Sequence, residues 1–418
     1  MHNRSFEKRE RKEKRHVLLA ALMAMACLNV SAQTGKEWDD PLITSVNRET
    51  AHTIAIPVAA EADIAQNDMT LSPWFQSLNG QWKFKWVGNP KNAQDAWCAK
   101  DFADAGWTTI DVPSSWQVWG LHHNMSWDKP LYVNWVWYPF AYDKQTFSVM
   151  ASRPGDYTYN TSMPNPVGTY RRTFSIPSTW KDRDVYVRFN SVGHGYYLWV
   201  NGQRVGYSED SYLPSEFRIT DYVTEGENTL ALQVYRFTSG SFLESQDYWR
   251  LTGIHRGCFL WSAPKTQIRD YFFTTDLDSS YKNAKANVKV AVDNAYQLGE
   301  GSRLEAKIMD GSTVIAQAST QGYNPISSAT THEMNLAMDV TAPRLWSAET
   351  PNLYDLVLTL KDKEGKSSTS AAQRCASAKW KSARATGRCS STASAWSSTA
   401  STATISRLST AAPSRPRR

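Results

Sequence analysis

Cysteine is scarce in this chain and poorly placed for cross-linking. Of five, Cys27 lies in an apolar N-terminal run and Cys375 and Cys389 lie in a tail of odd composition, so only Cys98 and Cys258 remain for the body. Neither a disulfide framework nor a metal-ligand spacing follows from them. Long apolar runs are also missing: residues 17–30, VLLAALMAMACLNV, are too few to span a bilayer comfortably. Helical periodicity is absent through the body, which excludes a helix bundle. Alternating βα units are absent as well, so no (β/α)₈ barrel is encoded here. Acidic residues disappear after Glu364, and the remaining chain is dominated by Ser, Ala, Thr and Arg.

The formal charge of +6 invites a nucleic-acid reading until its distribution is examined. Residues 1–16 hold seven Lys/Arg and three Asp/Glu, and residues 374–418 hold nine Lys/Arg and no acid. Removing +4 and +9 from +6 leaves the body near −7, which disfavours a phosphate-binding surface. No nucleic-acid partner is expected. The charged segment 1–16, the apolar run and Val30-Ser31-Ala32 together read as a signal peptide, residues 1–32, cleaved after Ala32. Export to the periplasm or the outside is the expectation, with no membrane span.

What the body does have is aromatic residues, 12% of the chain with 18 Trp, in short β-prone runs. The clearest are Tyr196-Tyr197-Leu198-Trp199-Val200 and Gln203-Arg204-Val205-Gly206-Tyr207, separated by Asn201-Gly202, a dipeptide suited to a type I′ hairpin turn. After the hairpin, Ser208-Glu209-Asp210-Ser211-Tyr212-Leu213-Pro214 places two carboxylates and a ring where the chain leaves the sheet. The run VNGQRVGYSEDSYLPSEF, with ESQDYWRLTGIHR after it, resembles the sugar-binding domain of glycoside hydrolase family 2 β-galactosidases. The likeness extends from Trp38 to about Leu360.

Taken in order, residues 33–70 read as an extended N-terminal arm. Trp38 to Pro41 and Asn47 to His52 are similar to the family's Trp-Asp/Glu-x-Pro and Asn-Arg-x-x-x-His. Residues 71–265 carry QWKFKWV, VPSSWQ, LYVNWVWYP, GTYRRTFSIP, DVYVRFNSVG, the hairpin, TLALQVYRF and GCFLWSAP. Many short strands with Gly and Pro turns argue for a sandwich or jelly roll; the resemblance selects a jelly-roll, galactose-binding-like domain. Residues 266–364 continue with period-2 runs such as NVKVAVDNA and HEMNLAMDV, in a number that suits an immunoglobulin-like sandwich. Pro343 to Tyr354, PRLWSAETPNLY, closely resembles the motif that ends the family's second domain. The fold class expected is all-β, with residues 365–418 a disordered tail.

Asp210 is the leading site candidate. A carboxylate at the end of a rigid hairpin accepts bonds from two sugar hydroxyls and also coordinates a hard cation. The bland alternative is an exposed loop carboxylate acting as a local cap. By resemblance it matches the family aspartate that contacts the galactosyl group and a sodium ion. Asn134 matches the asparagine that the family places beside substrate; read alone, it equally suits a turn. Trp135 and Trp137 stay unassigned between stacking and core. Glu244, Asp247, Trp249, Arg250 and Arg256 read as a buried ion-pair network, Glu209 and Glu216 as supports of the hairpin, and His194 as structural.

A retaining glycosidase needs two carboxylates about 5 to 5.5 Å apart. By resemblance both come from a barrel that does not begin here, so no catalytic residue is assigned, and magnesium ligands are expected only in that barrel. The resemblance implies the N-terminal part of a secreted β-galactosidase, homo-oligomeric in its full-length form. The competing expectation is a free-standing carbohydrate-binding protein. From about Lys379 the chain reads as an out-of-frame translation, with the slip between Gly365 and Lys379. Residues 381–405 can be encoded by codons whose shifted reading is EVRARDGQVLVNGKRVVVNGVNRHD, similar to the segment that opens the family's barrel.

Overall fold

A computed structural model of the chain describes residues 36–59, 68–93, 96–133, 140–141, 158–159, 165–244, 248–294, 298, 300–320, 331–365 and 367–375. The leader, Asn134 and the tail beyond 375 lie outside them. The chain divides into two compact units: Met1–Glu49, Ser77–Lys181 and Val185–Leu260 form the first, and Thr50–Gln76, Asp182–Asp184 and Trp261–Arg418 the second. Both are all-β sandwiches, a jelly roll followed by an immunoglobulin-like domain.

The first unit is built on a seven-stranded antiparallel sheet. Its strand order is Ser45–Val46, Gln203–Ser208, Gly195–Val200, Gly226–Tyr235, Val167–Ile176, Gly80–Val87 and Thr108–Val112. The expected hairpin is there: Val200 pairs with Gln203, and Asn201 (φ 50°) and Gly202 (φ 81°) take the left-handed turn conformations that Asn and Gly reach at least cost. A bulge between Leu198 and Trp199 follows. Every residue of Gly195–Val200 is buried, because rings pack on both faces of this strand. On one side lie Trp97, Trp199, Tyr197, Tyr207 and Tyr235, with Trp38 stacked on Tyr235 at 5.3 Å. Farther along the sheet Phe84 lies 4.6 Å from Tyr170 and 4.9 Å from Trp127. Such pairings stabilise a core beyond the area they bury.

The arm strand Ser45–Val46 closes the sheet. It approaches so near the hairpin that a Cβ on Gly206 would sit 2.3 Å from the Val46 carbonyl and 2.7 Å from the Phe217 ring. Upstream, Glu37 accepts a bond from the Tyr197 hydroxyl at 2.9 Å and pairs with Arg204. Absence of helical periodicity did not anticipate the α-helix Trp116–His122. Two turns are too short to display a period.

The second unit places Gln267–Leu277, Asn283–Asp293 and Thr331–Thr341 in one sheet. Thr313–Ser319, Arg303–Asp310, Tyr354–Lys361 and Ser367–Cys375 form another. Ala284, Ala286, Val288, Val290 and Val292 alternate into the core, as a half-buried strand requires. The PRLWSAETPNLY motif is a self-bound turn: the Arg344 amide donates to the Tyr354 hydroxyl at 2.6 Å, and the Asn352 amide group donates to the Leu345 carbonyl at 2.8 Å. One expectation needs correction. The strand Ser367–Cys375 lies inside the stretch 365–418 assigned to a disordered tail, yet it pairs antiparallel with Tyr354–Lys361 along its length. Its Ser/Thr/Ala composition hides it, since backbone pairing needs no apolar alternation.

Candidate functional site

The loop that leaves the hairpin turns successive side chains in opposite directions. Glu209 and Ser211 are buried, and Asp210 between them is exposed with φ +84°. A non-glycine residue in that conformation costs about 1–3 kcal/mol unless its neighbours fix it. Here both neighbours are fixed by the turn Thr238–Glu244. Glu209 accepts from the Tyr207 hydroxyl at 2.6 Å, the Ser239 hydroxyl at 3.0 Å and the Gly240 amide at 2.9 Å. Glu244, at the end of the short helix Ser241–Glu244, accepts from the Ser211 amide at 3.0 Å and from the Ser211 hydroxyl. The Ser191 hydroxyl donates to the Ser211 carbonyl at 2.6 Å.

The N-terminal arm completes the frame. Arg48 donates to the Ser208 hydroxyl at 3.1 Å and to the Glu209 carbonyl at 3.0 Å, and the Glu209 amide donates to Thr44 at 2.9 Å. Asn47 donates to the Val205 carbonyl at 2.9 Å. Burial pushes the Glu209 carboxyl up to about 7, against the three bonds that favour its ionised form. Burial likewise raises Glu244. Partial desolvation raises Asp210, with Arg48 acting in the other direction. Among the described residues no hydrogen bond or ion pair engages the Asp210 carboxylate. Among the described residues it is an acceptor without a bond, on a support that its neighbours hold in place.

Asn134 and Asp247 lie outside the described residues. The strand Leu131–Val133 that precedes Asn134 pairs with Tyr248–Arg250, and the Tyr132 and Trp249 rings meet edge to face at 5.6 Å. Both rings are about half exposed, at 52% and 50%. Two charged members of the expected ion-pair network, Glu244 and Arg256, reach the loop that follows the hairpin. Glu244 binds Ser211, Arg256 donates to the Tyr212 carbonyl at 2.9 Å, and Trp249 faces outward. Glu216 pairs with Arg188 at 3.4 Å, and its carbonyl accepts from the Glu49 amide at 2.8 Å.

Sequence reasoning missed Asp128. It accepts from the Trp86 and Trp116 indoles, both at 2.7 Å, from Gln117 at 2.9 Å, and it pairs with the buried Arg236. This gives the VPSSWQ motif a purpose: Trp116 and Gln117 are two arms of the cluster, and Gln117 also accepts the Thr252 amide at 2.8 Å. His194 is buried, and neither of its ring nitrogens has a partner among the described residues. No group of three His, Cys, Asp or Glu gathers among the described residues.

Residues 75–264 match the family described as glycosyl hydrolases family 2, sugar binding domain, and residues 266–375 match glycosyl hydrolases family 2. The chain is 38% identical over 332 residues to a β-galactosidase of Priestia megaterium, covering 79% of this chain and 30% of that protein. It is 35% identical over 341 residues to a β-galactosidase of Photobacterium profundum, with the same coverage. The chain thus spans about 30% of the length of the curated relatives it matches. A crystal structure of a family 2 member from Bacteroides cellulosilyticus superposes with a TM-score of 0.55 at 22% identity, covering 74% of this chain and 37% of that one. A Bacteroides uniformis β-glucuronidase gives 0.56, also at 22%, covering 73% and 32%.

Proposed function

We propose, for a chain that belongs to glycosyl hydrolase family 2, that it supplies the sugar-contacting part of a retaining β-galactosidase acting on terminal β-D-galactosides. The observation that carries this reading is the Asp210 carboxylate, held outward without a bond among the described residues while Glu209 and Ser211 are tied beneath it. Its identity to β-galactosidases, 38% over 332 residues, supports galactose as the sugar. In this reading residues 71–265 form the sugar-binding domain, the arm 33–70 braces it, residues 266–364 follow as spacer, and the leader directs export.

Asp210 accepts hydrogen bonds from two neighbouring hydroxyls of the sugar, and Asn134 adds a second polar contact. A charged acceptor contributes about 1.5–3 kcal/mol to such binding. The acid/base and the nucleophile belong to a barrel outside this chain, so the chain alone turns nothing over. Among the described residues Asp210 offers one carboxylate with no His or Cys cluster beside it, a donor set that fits a weakly held oxygen-ligated cation such as sodium better than a transition metal. Asp210 is the side chain that would hold it, and the ion would fix the carboxylate and polarise a hydroxyl. The full-length enzyme is expected to be a homo-oligomer.

Asp210→Ala in a full-length enzyme carrying this segment tests the reading. It should lower kcat/KM for a β-galactoside about tenfold or more while leaving the thermal midpoint within a degree or two, because the side chain supports no bond among the described residues. Unchanged kinetics with sodium dependence intact would remove Asp210 from the site.

A further inference from the structure

Asp210 sits between two residues that are held by the same neighbouring turn in opposite senses. The hairpin loop sends a carboxylate, Glu209, into the turn, where Ser239 and Gly240 donate to it. The turn sends a carboxylate, Glu244, back to the loop, where the amide and hydroxyl of Ser211 donate to it. Each segment therefore supplies the acceptor for the other's donors. Such reciprocity is familiar within one helix turn as a capping box. Here it joins segments about thirty residues apart, since Glu209 and Gly240 are separated by 31 positions and Ser211 and Glu244 by 33.

The consequence for the residue in the middle is geometric. Glu209 is drawn inward on one side and Ser211 is pinned on the other, and between these two fixed neighbours Asp210 takes the left-handed conformation at φ +84°. Its side chain then has nowhere to go but outward. Space under the loop is closed as well: a Cβ on Gly240 would lie 2.5 Å from the Glu209 carboxylate, so the turn is shaped around that group.

We propose that Glu209 and Glu244 form a reciprocal carboxylate latch and act as positioning residues for Asp210, setting the conformation in which it meets the sugar. This rests on the reading of Asp210 as a sugar contact. Neither glutamate touches the ligand. Their effect passes through the backbone of residues 209 to 211, and it is lost when either half of the exchange is broken. Glutamine at 244 preserves the geometry, since its amide oxygen accepts the Ser211 amide and its NH₂ donates to the Ser211 hydroxyl.

Two measurements on the full chain separate the latch from the sugar reading. In hydrogen exchange, Glu244→Ala should speed exchange across residues 209–214 about tenfold, and Glu209→Ala should do the same across residues 239–244. Ser239→Ala serves as a milder partner for Glu209→Ala where the latter does not fold, and Asp210→Ala should change neither segment. Segments that keep their protection when the opposite carboxylate is removed overturn the latch. In saturation-transfer NMR with excess lactose, Glu244→Ala should weaken binding about tenfold, as Asp210→Ala does, with Glu244→Gln within about threefold of the parent. Parent-like lactose binding by Glu244→Ala with a loosened loop overturns the positioning role. A parent chain silent towards lactose, or Asp210→Ala binding as the parent does, overturns the sugar reading instead, and the exchange arm still decides the latch.

Discussion

Phenylalanine in place of His194 should make the first unit less sensitive to acid. His194 is only 3% exposed, and burial, reinforced by the nearby His255, Arg236 and Arg250, holds its imidazole down at about 3. His255 is held at about 4 by burial, partly offset by a bond with the Leu251 backbone. In the unfolded chain both titrate near 6.5. Below that pH the unfolded state takes up protons that the folded state refuses, so each histidine withdraws stability as pH falls from 6.5 towards its folded value. At pH 5 the loss is about 2 kcal/mol per histidine, or about 4 together. Glu209 opposes it. Its folded carboxyl, raised to about 7, keeps its proton longer than the unfolded one, so its contribution grows as pH falls from 7 and reaches about 2–3 kcal/mol at pH 5. The parent curve therefore sums opposed contributions, with a net loss of about 1–2 kcal/mol at pH 5 from these three groups, and decides little. The difference between variant and parent decides: both ring nitrogens of His194 lack partners among the described residues, so a ring of similar size should cost under about 1.5 kcal/mol at pH 7.5. The stability of His194→Phe relative to the parent should then rise by about 2 kcal/mol between pH 7.5 and 5. Urea unfolding followed by tryptophan fluorescence at each pH measures it. Parallel curves across that range would refute the argument, because they would mean His194 titrates alike in both states.

Removing the acceptor at the hub should be severe: Asp128→Ala leaves Arg236 buried without its ion-pair partner and three further donors unmet, which should cost about 3–5 kcal/mol in urea unfolding, with Asp128→Asn less damaging. Residues 33–418, purified, should not hydrolyse a chromogenic β-galactoside above background, and turnover that survives rigorous removal of host enzyme would contradict the assignment of catalysis to a barrel outside this chain. Sequencing the DNA around codons 365–379 should reveal a single-base insertion or deletion relative to close relatives, and a stop in the shifted frame soon after codon 405 would count against the out-of-frame reading.

The elements that sequence revealed are those whose cause is local. Asn201-Gly202 dictates its own turn, and the apolar alternation of Asn283–Asp293 states which face is buried. Asp210 was visible because a motif surrounds it. The bonds that aim it were not, since Glu209 with Gly240 and Ser211 with Glu244 become neighbours only after the sheet has formed. Asp128 escaped for the same reason: its donors come from residues 86, 116, 117 and 236, and no spacing in the chain marks the carboxylate that collects them. Ser367–Cys375 was hidden because its pairing is carried by main chain.

The arm strand has a consequence for biosynthesis. Arg48 bonds Ser208 across 160 residues of sequence, and Ser45–Val46 pairs with the far edge of the hairpin. At a synthesis rate of roughly 5 to 20 residues per second, the arm emerges from the ribosome about 8 to 30 s before the strand it must join. Through that interval Trp38 and Val46 have no Tyr235 and no Tyr207 to cover them. Gly206 then supplies the notch that lets the waiting segment dock against a finished hairpin. The first strand of the sheet to be made thus waits for the hairpin before it can be added, and it seals the open edge at which nascent sheets otherwise find one another.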